Sequence, residues 1–248
     1  MRILILGGSG KLGRELTKIL NKSHKLCCPS HSEADVSNID SLSRIKFSTN
    51  IVVNCAALVG IGPCEKNQEL AFNINSVGAG NSAEFSQNRG AHLIQISTDS
   101  VFDGEKGNYR ESDRPNPISN YGYTKYLGEL YASEYPNVTI IRMSFFPTEN
   151  FKYDTIPTNQ YMSREPIHIT AGKIKEFIEA EDKEWISGIW HIGCKRRSHY
   201  EIIKEYYPNI KPTTVEALEA KLGQRIPGDL SLDTHQYDKY FNGAYYGN

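Results

Sequence analysis

The chain has 248 residues, 39% of them hydrophobic and 23% charged, and its 28 Lys and Arg against 29 Asp and Glu leave a formal net charge of -1. That length can bury a core of one or two domains, and the balanced charge excludes the cationic excess with which proteins displace counterions from nucleic acid. No apolar run approaches the ~18–20 residues that a membrane helix needs, and the five cysteines (Cys27, Cys28, Cys55, Cys64 and Cys194) form neither a paired framework nor a zinc spacing.

The scattered cysteines make a reducing cytoplasm the expected compartment, and Arg2–Leu6, RILIL, reads as a short buried strand. A glycine cluster follows, then an amphipathic helix over Lys11–Leu20, with Leu12, Leu16 and Leu20 stacked at i, i+4 and i+8. Further strands are predicted over 25–28, closed by Pro29 and Ser30, and over 51–53, His92–Ile96 and 138–141. Between them lie helices over 69–87 and 120–135, the latter stopped by Pro136. Strands alternating with helices predict an α/β fold, a Rossmann-like doubly wound parallel sheet buried on both faces. From about Met143 the chain is richer in Pro, Tyr and Lys, with predicted helices over 172–180 and 199–206 and a strand over 188–192. No linker precedes this part. Residues 1–142 are therefore expected to form the main domain, and residues 143–248 a small C-terminal lobe that is not an independent domain.

Gly7-Gly8-Ser9-Gly10-Lys11-Leu12-Gly13 carries Gly-x-x-Gly-x-x-Gly between the first strand and the first helix. A turn and a helix cap is the plain structural alternative, but in this context each glycine has a task. Gly7 permits the tight exit from the strand, Gly10 lets a pyrophosphate approach the backbone, and Gly13 lets the helix lie close. The N–H groups around Ser9, Lys11 and Leu12, with the positive end of the helix dipole, then receive the phosphates of a dinucleotide. The second strand ends Cys28-Pro29-Ser30-His31 without an acid. Ser30 and His31, helped by Lys11 or Arg14, favour a 2′-phosphate and hence NADPH. Glu33 stands at roughly the ~20-residue spacing of a ribose-binding acid, which keeps NADH as the alternative.

Tyr121 and Lys125 are four positions apart on a predicted helix, so both emerge on one face. An ammonium beside a phenol favours the phenolate and lowers a pKa otherwise about 10, making the tyrosine a usable proton donor. The same spacing recurs at Tyr200/Lys204 and Tyr207/Lys211 in a chain with 15 Tyr. Only Tyr121 follows the fourth strand, downstream of Thr98.

At these residues the chain resembles extended short-chain dehydrogenases and, within them, the dTDP-4-dehydrorhamnose reductase family. GGSGKLG, VVNCAA (52–57), NINSVGAGN (73–81), ISTDSVFDG (96–104) and YGYTKYLGE (121–129) recur in order, and GIWHIGCKRRSHYE (188–201) and RIPGDLSLDT (225–234) are similar to substrate-lobe segments. The resemblance implies NAD(P)H-dependent reduction of the C4 keto group of a nucleotide-linked 4-keto-6-deoxy sugar, with residues 1–142 holding the cofactor and residues 143–248 the substrate. Alternatives are an epimerase or dehydratase that retains NAD, or a non-catalytic NADP-binding regulatory subunit. A homodimer is an expected assembly.

By the same resemblance Thr98 bonds the substrate carbonyl, Tyr121 delivers the proton, and Lys125 tunes Tyr121 and holds the nicotinamide ribose. Asp35 and Val36 meet the adenine, and Ala56 and Ala57 let the cofactor pass. Asn75 touches the cofactor or, equally and compatibly with that, ties two elements together. Asp99, Ser100, Phe102 and Arg225 are expected at the substrate, although Asp99 has the alternative of orienting Thr98 or capping a loop. Lys195, Arg196 and Arg197 read as a solvated loop or a diphosphate site. Two features depart from the family pattern: Ser100 stands where an aromatic is usual, and the stretch 147–172 is compressed.

Overall fold

Strand-forming apolar runs become a parallel sheet because each carries apolar side chains on both faces, so each needs helices above and below it. The computed structural model describes residues 1–180 and 186–243. The chain runs β1 (Arg2–Leu6), α1 (Lys11–Leu20), β2 (Lys25–Cys27), α2 (Ile39–Ser43), β3 (Ile51–Asn54), α3 (Ile61–Lys66), α4 (Gln68–Phe72), a π turn (Asn73–Val77), α5 (Gly78–Asn88), β4 (His92–Ile96), α6 (Asn120–Ser133) and β5 (Val138–Arg142). It continues with β6 (Phe145–Phe146), β7 (Thr155–Pro157), β8 (Tyr161–Met162), β9 (Glu165–Pro166), α7 (Ile167–Glu179), β10 (Gly188–His191), β11 (Arg197–Ser198), α8 (His199–Lys204), β12 (Lys211–Thr213), α9 (Val215–Leu222) and α10 (His235–Phe241). Among the described residues no helix is long and apolar enough to cross a membrane.

The main sheet has six parallel strands in the order β10-β5-β4-β3-β1-β2. The order reverses between β1 and β3, which opens a crevice at the carboxyl ends of those strands. Alternate residues face opposite cores, as the period of two requires. Ile3, Ile5, Ile51, Val53, Ile94 and Ile141 pack with Leu12 and Leu16 of α1 and with Ile174 and Phe177 of α7. Leu4, Leu6, Val52, Leu93 and Ile140 pack against Leu42 of α2, Ala83 and Phe85 of α5, and Ala132 of α6.

The expected boundary after residue 142 is not where the packing divides. Gly188–His191 is the sixth strand of the main sheet, in register with Thr139–Arg142, and α7 shares the first core with α1. The reason is coverage: α1 alone cannot cover six strands. Conversely Val101, Phe102 and Tyr109 leave the first part to build a third cluster with Ile156, Met162, Ile202, Ile203, Leu230 and Leu232. That cluster and the short strand pairs β6–β9, β7–β12 and β8–β11 form the lobe. Helix α7 begins five residues before the predicted start at 172, directly after Pro166 at its N-cap position. The helix predicted over 69–87 contains the π turn, where Asn75 is drawn inward.

Candidate active site

The glycine loop is shaped by contacts that a side chain would forbid. Gly7 has φ +72°, and a Cβ there would lie 2.6 Å from the Ala56 nitrogen. A Cβ on Gly13 would lie 2.4 Å from the Gly7 carbonyl oxygen, so the first turn of α1 sits directly on the loop. Gly10 occupies the N-cap position and no side chain caps it, which leaves the first N–H groups of α1 available. Ser9, Gly10 and Lys11 are exposed, whereas the Leu12 side chain is buried in the core and can offer only its backbone. This cradle fits a pyrophosphate.

Beyond the loop, Ala56 and Ala57 line the end of β3, with the Ala56 nitrogen bonded to Asn54 Oδ1. Asp35 accepts from the Ser37 N–H and hydroxyl through Oδ1; burial works against the charged form, but those two bonds prevail and lower its pKa. Its Oδ2 makes no protein hydrogen bond among the described residues. Val36 offers its backbone rather than its side chain. It is buried in the second core, against Gly78, where a Cβ would lie 2.7 Å from its Cγ2. Ser30 donates its N–H and hydroxyl to Glu33 Oε2 at 2.8 and 2.7 Å, so the expected 2′-phosphate ligand is already engaged by an acid. Those bonds hold the Glu33 carboxyl below the usual range.

Asn75 is a clamp. Its Oδ1 accepts from Leu58 N at 2.9 Å, and its Nδ2 donates to Leu58 O and Thr124 Oγ1, both at 3.1 Å. With both ends of the amide used, it ties the loop after β3 to α6, as the structural reading expects.

Thr98 and Tyr121 meet because two backbones touch. Thr98 caps the short turn Asp99–Val101, accepting from Ser100 N at 3.2 Å. Gly122 lies against the Ser100 carbonyl at a separation no side chain would tolerate. This brings Tyr121, in the first turn of α6, beside Thr98, whose hydroxyl favours its phenolate. Asp99 is 3% exposed, its Oδ1 accepts from the Thr98 and Ser100 hydroxyls, and its Oδ2 is buried without a partner. Burial pushes its pKa up.

Lys125, four positions after Tyr121 on α6, is buried beside the site. Its Nζ donates to the Ile96 carbonyl at 2.5 Å, and burial pulls its pKa down to about 8. Burial pushes Tyr121 up to about 12, with Thr98 and Arg164 opposing and Asp99 and Cys64 adding to the rise. Arg164, whose charge also favours the phenolate, is a residue the sequence reading missed; its only signal was a lone cation before Glu165-Pro166 in the compressed stretch.

Below these groups Glu129 and Arg142 form a buried ion pair, with Arg142 Nη2 to Glu129 Oε2 at 2.7 Å. Ser97 donates to the same carboxylate, which fixes the residue before Thr98.

The remaining substrate expectations fare differently. Ser100 lies in the cleft segment with its hydroxyl turned to Asp99. Phe102 is 1% exposed and stacks on Tyr109 at 4.1 Å in the third cluster, so it supports the lobe and has no surface for a sugar. Arg225 sits on the surface in an ion pair with Glu105 at 2.8 Å, both side chains more than half exposed. In the basic run, Arg196 pairs with Asp229 and Arg197 with Glu205, which favours the solvated-loop reading for those two. Among the described residues no cluster of His, Cys, Asp or Glu could hold a metal ion.

Residues 1–170 match the family model described as the RmlD substrate binding domain. The dTDP-4-dehydrorhamnose reductase of Aggregatibacter actinomycetemcomitans is 35% identical over 150 residues, covering 58% of this chain and 51% of that protein. Methionine adenosyltransferase 2 subunit beta of Bos taurus is 36% identical over 138 residues, covering 52% of this chain and 41% of that protein. The chain spans about half the length of the curated relatives it matches. The crystal structure of dTDP-4-dehydrorhamnose reductase from Bacillus anthracis str. Ames in complex with NADP superposes with a TM-score of 0.86 at 26% identity, covering 98% of this chain and 92% of that one.

Proposed function

Since this chain belongs to the RmlD substrate-binding-domain family, we propose that it reduces the C4 keto group of a nucleotide-linked 4-keto-6-deoxy sugar, dTDP-4-dehydrorhamnose first among them. The supporting observation is the close approach of Gly122 to the Ser100 carbonyl, which sets Tyr121 beside Thr98 at the end of β4, with Lys125 on the Ile96 carbonyl next to them. NADPH is the proposed cofactor, in keeping with the NADP carried by the Bacillus anthracis relative; NADH is the competitor that Glu33 favours.

When bound, the dihydronicotinamide supplies a hydride. Thr98 donates to the substrate carbonyl oxygen, exchanging its bond to Asp99, and Tyr121 passes its proton to that oxygen. The glycine loop and the free N–H groups of α1 hold the pyrophosphate, and Asp35 Oδ2 is free to accept from the adenine amino group. An ammonium has three donors, of which Ile96 takes one. The other two suit the ribose hydroxyls, so that Lys125 aligns the ring as well as favouring the phenolate.

The test follows absorbance of NADPH and NADH with dTDP- and UDP-linked 4-keto-6-deoxy sugars. Turnover supports the proposal. Cofactor binding with no turnover on any of them supports the second reading, a regulatory subunit, for which the similarity to a methionine adenosyltransferase subunit beta is the specific observation.

A further inference from the structure

The arginines of the lobe are matched by acids, with one exception. Arg196 pairs with Asp229, Arg197 with Glu205, and Arg225 with Glu105. Arg164 has neutral partners instead. Its Nε donates to Ser144 Oγ at 3.1 Å, and its Nη1 lies 3.1 Å from His199 Nε2. The opposite nitrogen of that ring, Nδ1, is 2.9 Å from Gln160 Oε1, an acceptor, so Nδ1 carries the proton and Nε2 accepts from the guanidinium. Gln160 is itself held by Pro227 O at 3.0 Å, and both Gln160 and His199 are buried. The segment RIPGDLSLDT thus supports Arg164 through Pro227, while its own Arg225 stays on the surface.

The junction of sheet and lobe brings this guanidinium to the crevice. Strands β6 and β9 run parallel with Phe145 opposite Glu165, so the preceding residues, Ser144 and Arg164, lie side by side. On the main sheet Ile96 pairs with Ile141, which sets Ser144 level with Asp99, the residue after Thr98. Neighbouring strands are ~4.8 Å apart, so Arg164 stands about one strand away from the group expected to hold the substrate carbonyl. Of a guanidinium's five N–H donors, Ser144 and His199 take one each, and the remaining three make no protein hydrogen bond among the described residues. Among those residues no carboxylate lies within ion-pair distance of Arg164. Burial works against its charge, and Asp99 is the first group to favour it. Asp99 spends Oδ1 on the Thr98 and Ser100 hydroxyls and keeps Oδ2 buried.

We propose that Arg164 binds the diphosphate of the nucleotide sugar, a task that the ion-paired Arg196, Arg197 and Arg225 leave open. The identity of the sugar end rests on the proposed function. In a nucleotide sugar one pyranose ring separates C4 from the diphosphate, so a carbonyl held at Thr98 leaves the phosphates within reach of a cation one strand away. A diphosphate supplies the acceptors that the three free donors need, and the planar fork of a guanidinium matches phosphate oxygens two at a time. A half-buried charge among neutral partners is costly, and an arriving anion offsets that cost where an uncharged sugar does not. Ser144 and the His199–Gln160 pair fix the guanidinium before the ligand arrives, so little side-chain freedom is lost on binding.

The test titrates the full-length chain with dTDP, and with thymidine as the control without phosphate, by isothermal titration calorimetry. Arg164→Gln is expected to weaken dTDP about 10- to 100-fold and to leave thymidine unchanged, and Arg164→Lys to recover part of the loss. Arg225→Gln leaves both unchanged. In turnover Arg164→Gln raises KM for the nucleotide sugar by a similar factor with little change in kcat, as for a contact made equally in the ground and transition states. Should Arg164→Gln fail to fold, Ser144→Ala, which releases Nε, is expected to weaken dTDP about 3-fold. An unaltered affinity for dTDP in the folded variant overturns the assignment, and so does a wild type that binds no dTDP. Binding of dTDP that depends on Arg164, in a chain with no turnover on any 4-keto sugar, supports it and overturns the proposed function instead.

Discussion

The carbonyl oxygen of Ser100 lies 2.0 Å from the point where residue 122 would carry a Cβ. Gly122 therefore sets how closely α6 approaches the turn after β4, and with it the reach from Tyr121 to Thr98. Gly122→Ala is expected to separate the two elements, destabilising the fold by about 1–3 kcal/mol and lowering kcat at least about 10-fold, since a small misplacement of a proton donor is costly. Thermal unfolding and steady-state turnover check both.

Much of this was legible in the chain. Strand–helix alternation, the glycine loop and the Tyr121–Lys125 pair are local patterns, and β1, α1 and β4 have their predicted bounds. The long-range parts were not local. Nothing in Gly188–His191 says that it pairs with β5 rather than with the lobe, and nothing in Arg164 says that parallel pairing with β6 carries it to Ser144. Phe102 and Val36 look like site residues by neighbourhood, but both turn into cores because their segments must cover apolar surface. Asn75 was readable only as two alternatives, because its partners are 17 and 49 residues away.

Glu33, held ionised by Ser30, stands at the site proposed for an adenosine 2′-phosphate. Removing its charge is expected to favour the phosphorylated cofactor. Glu33→Gln should tighten NADPH and weaken NADH several-fold each, read by fluorescence titration of both. An unchanged ratio of the two dissociation constants would separate Ser30 from the ribose site.

The Glu129–Arg142 pair is almost fully buried. Removing one partner leaves the other charge without compensation, at a cost of about 3–5 kcal/mol. Glu129→Ala is expected to lose that much in urea unfolding and, because Ser97 loses its acceptor, to lower turnover in the protein that still folds.

Three buried histidines make the fold sensitive to acid. Burial lowers His92 to about 4, burial and then Arg142 lower His191 to about 3, and burial and then Arg164 lower His199. Unfolded, each titrates near 6.5. Stability is therefore complete above about pH 6.5 and falls as the pH drops below it, because the unfolded chain takes up the protons, each adding up to about 1.4 kcal/mol per pH unit. The raised carboxyls of Asp99 and Glu111 act in the opposite sense at the acid end. Urea unfolding from pH 7 to pH 5 should show this fall, and a shallower one in His191→Gln; equal slopes would contradict it.

Tyr121→Phe tests the central claim most directly, because it removes only the phenolic oxygen beside Thr98 and leaves the cofactor cradle intact. With NADPH and dTDP-4-dehydrorhamnose, the variant is predicted to bind cofactor as the wild type does and to lose about 100-fold or more in kcat. A rate equal to that of the wild type would mean that the proton comes from another group.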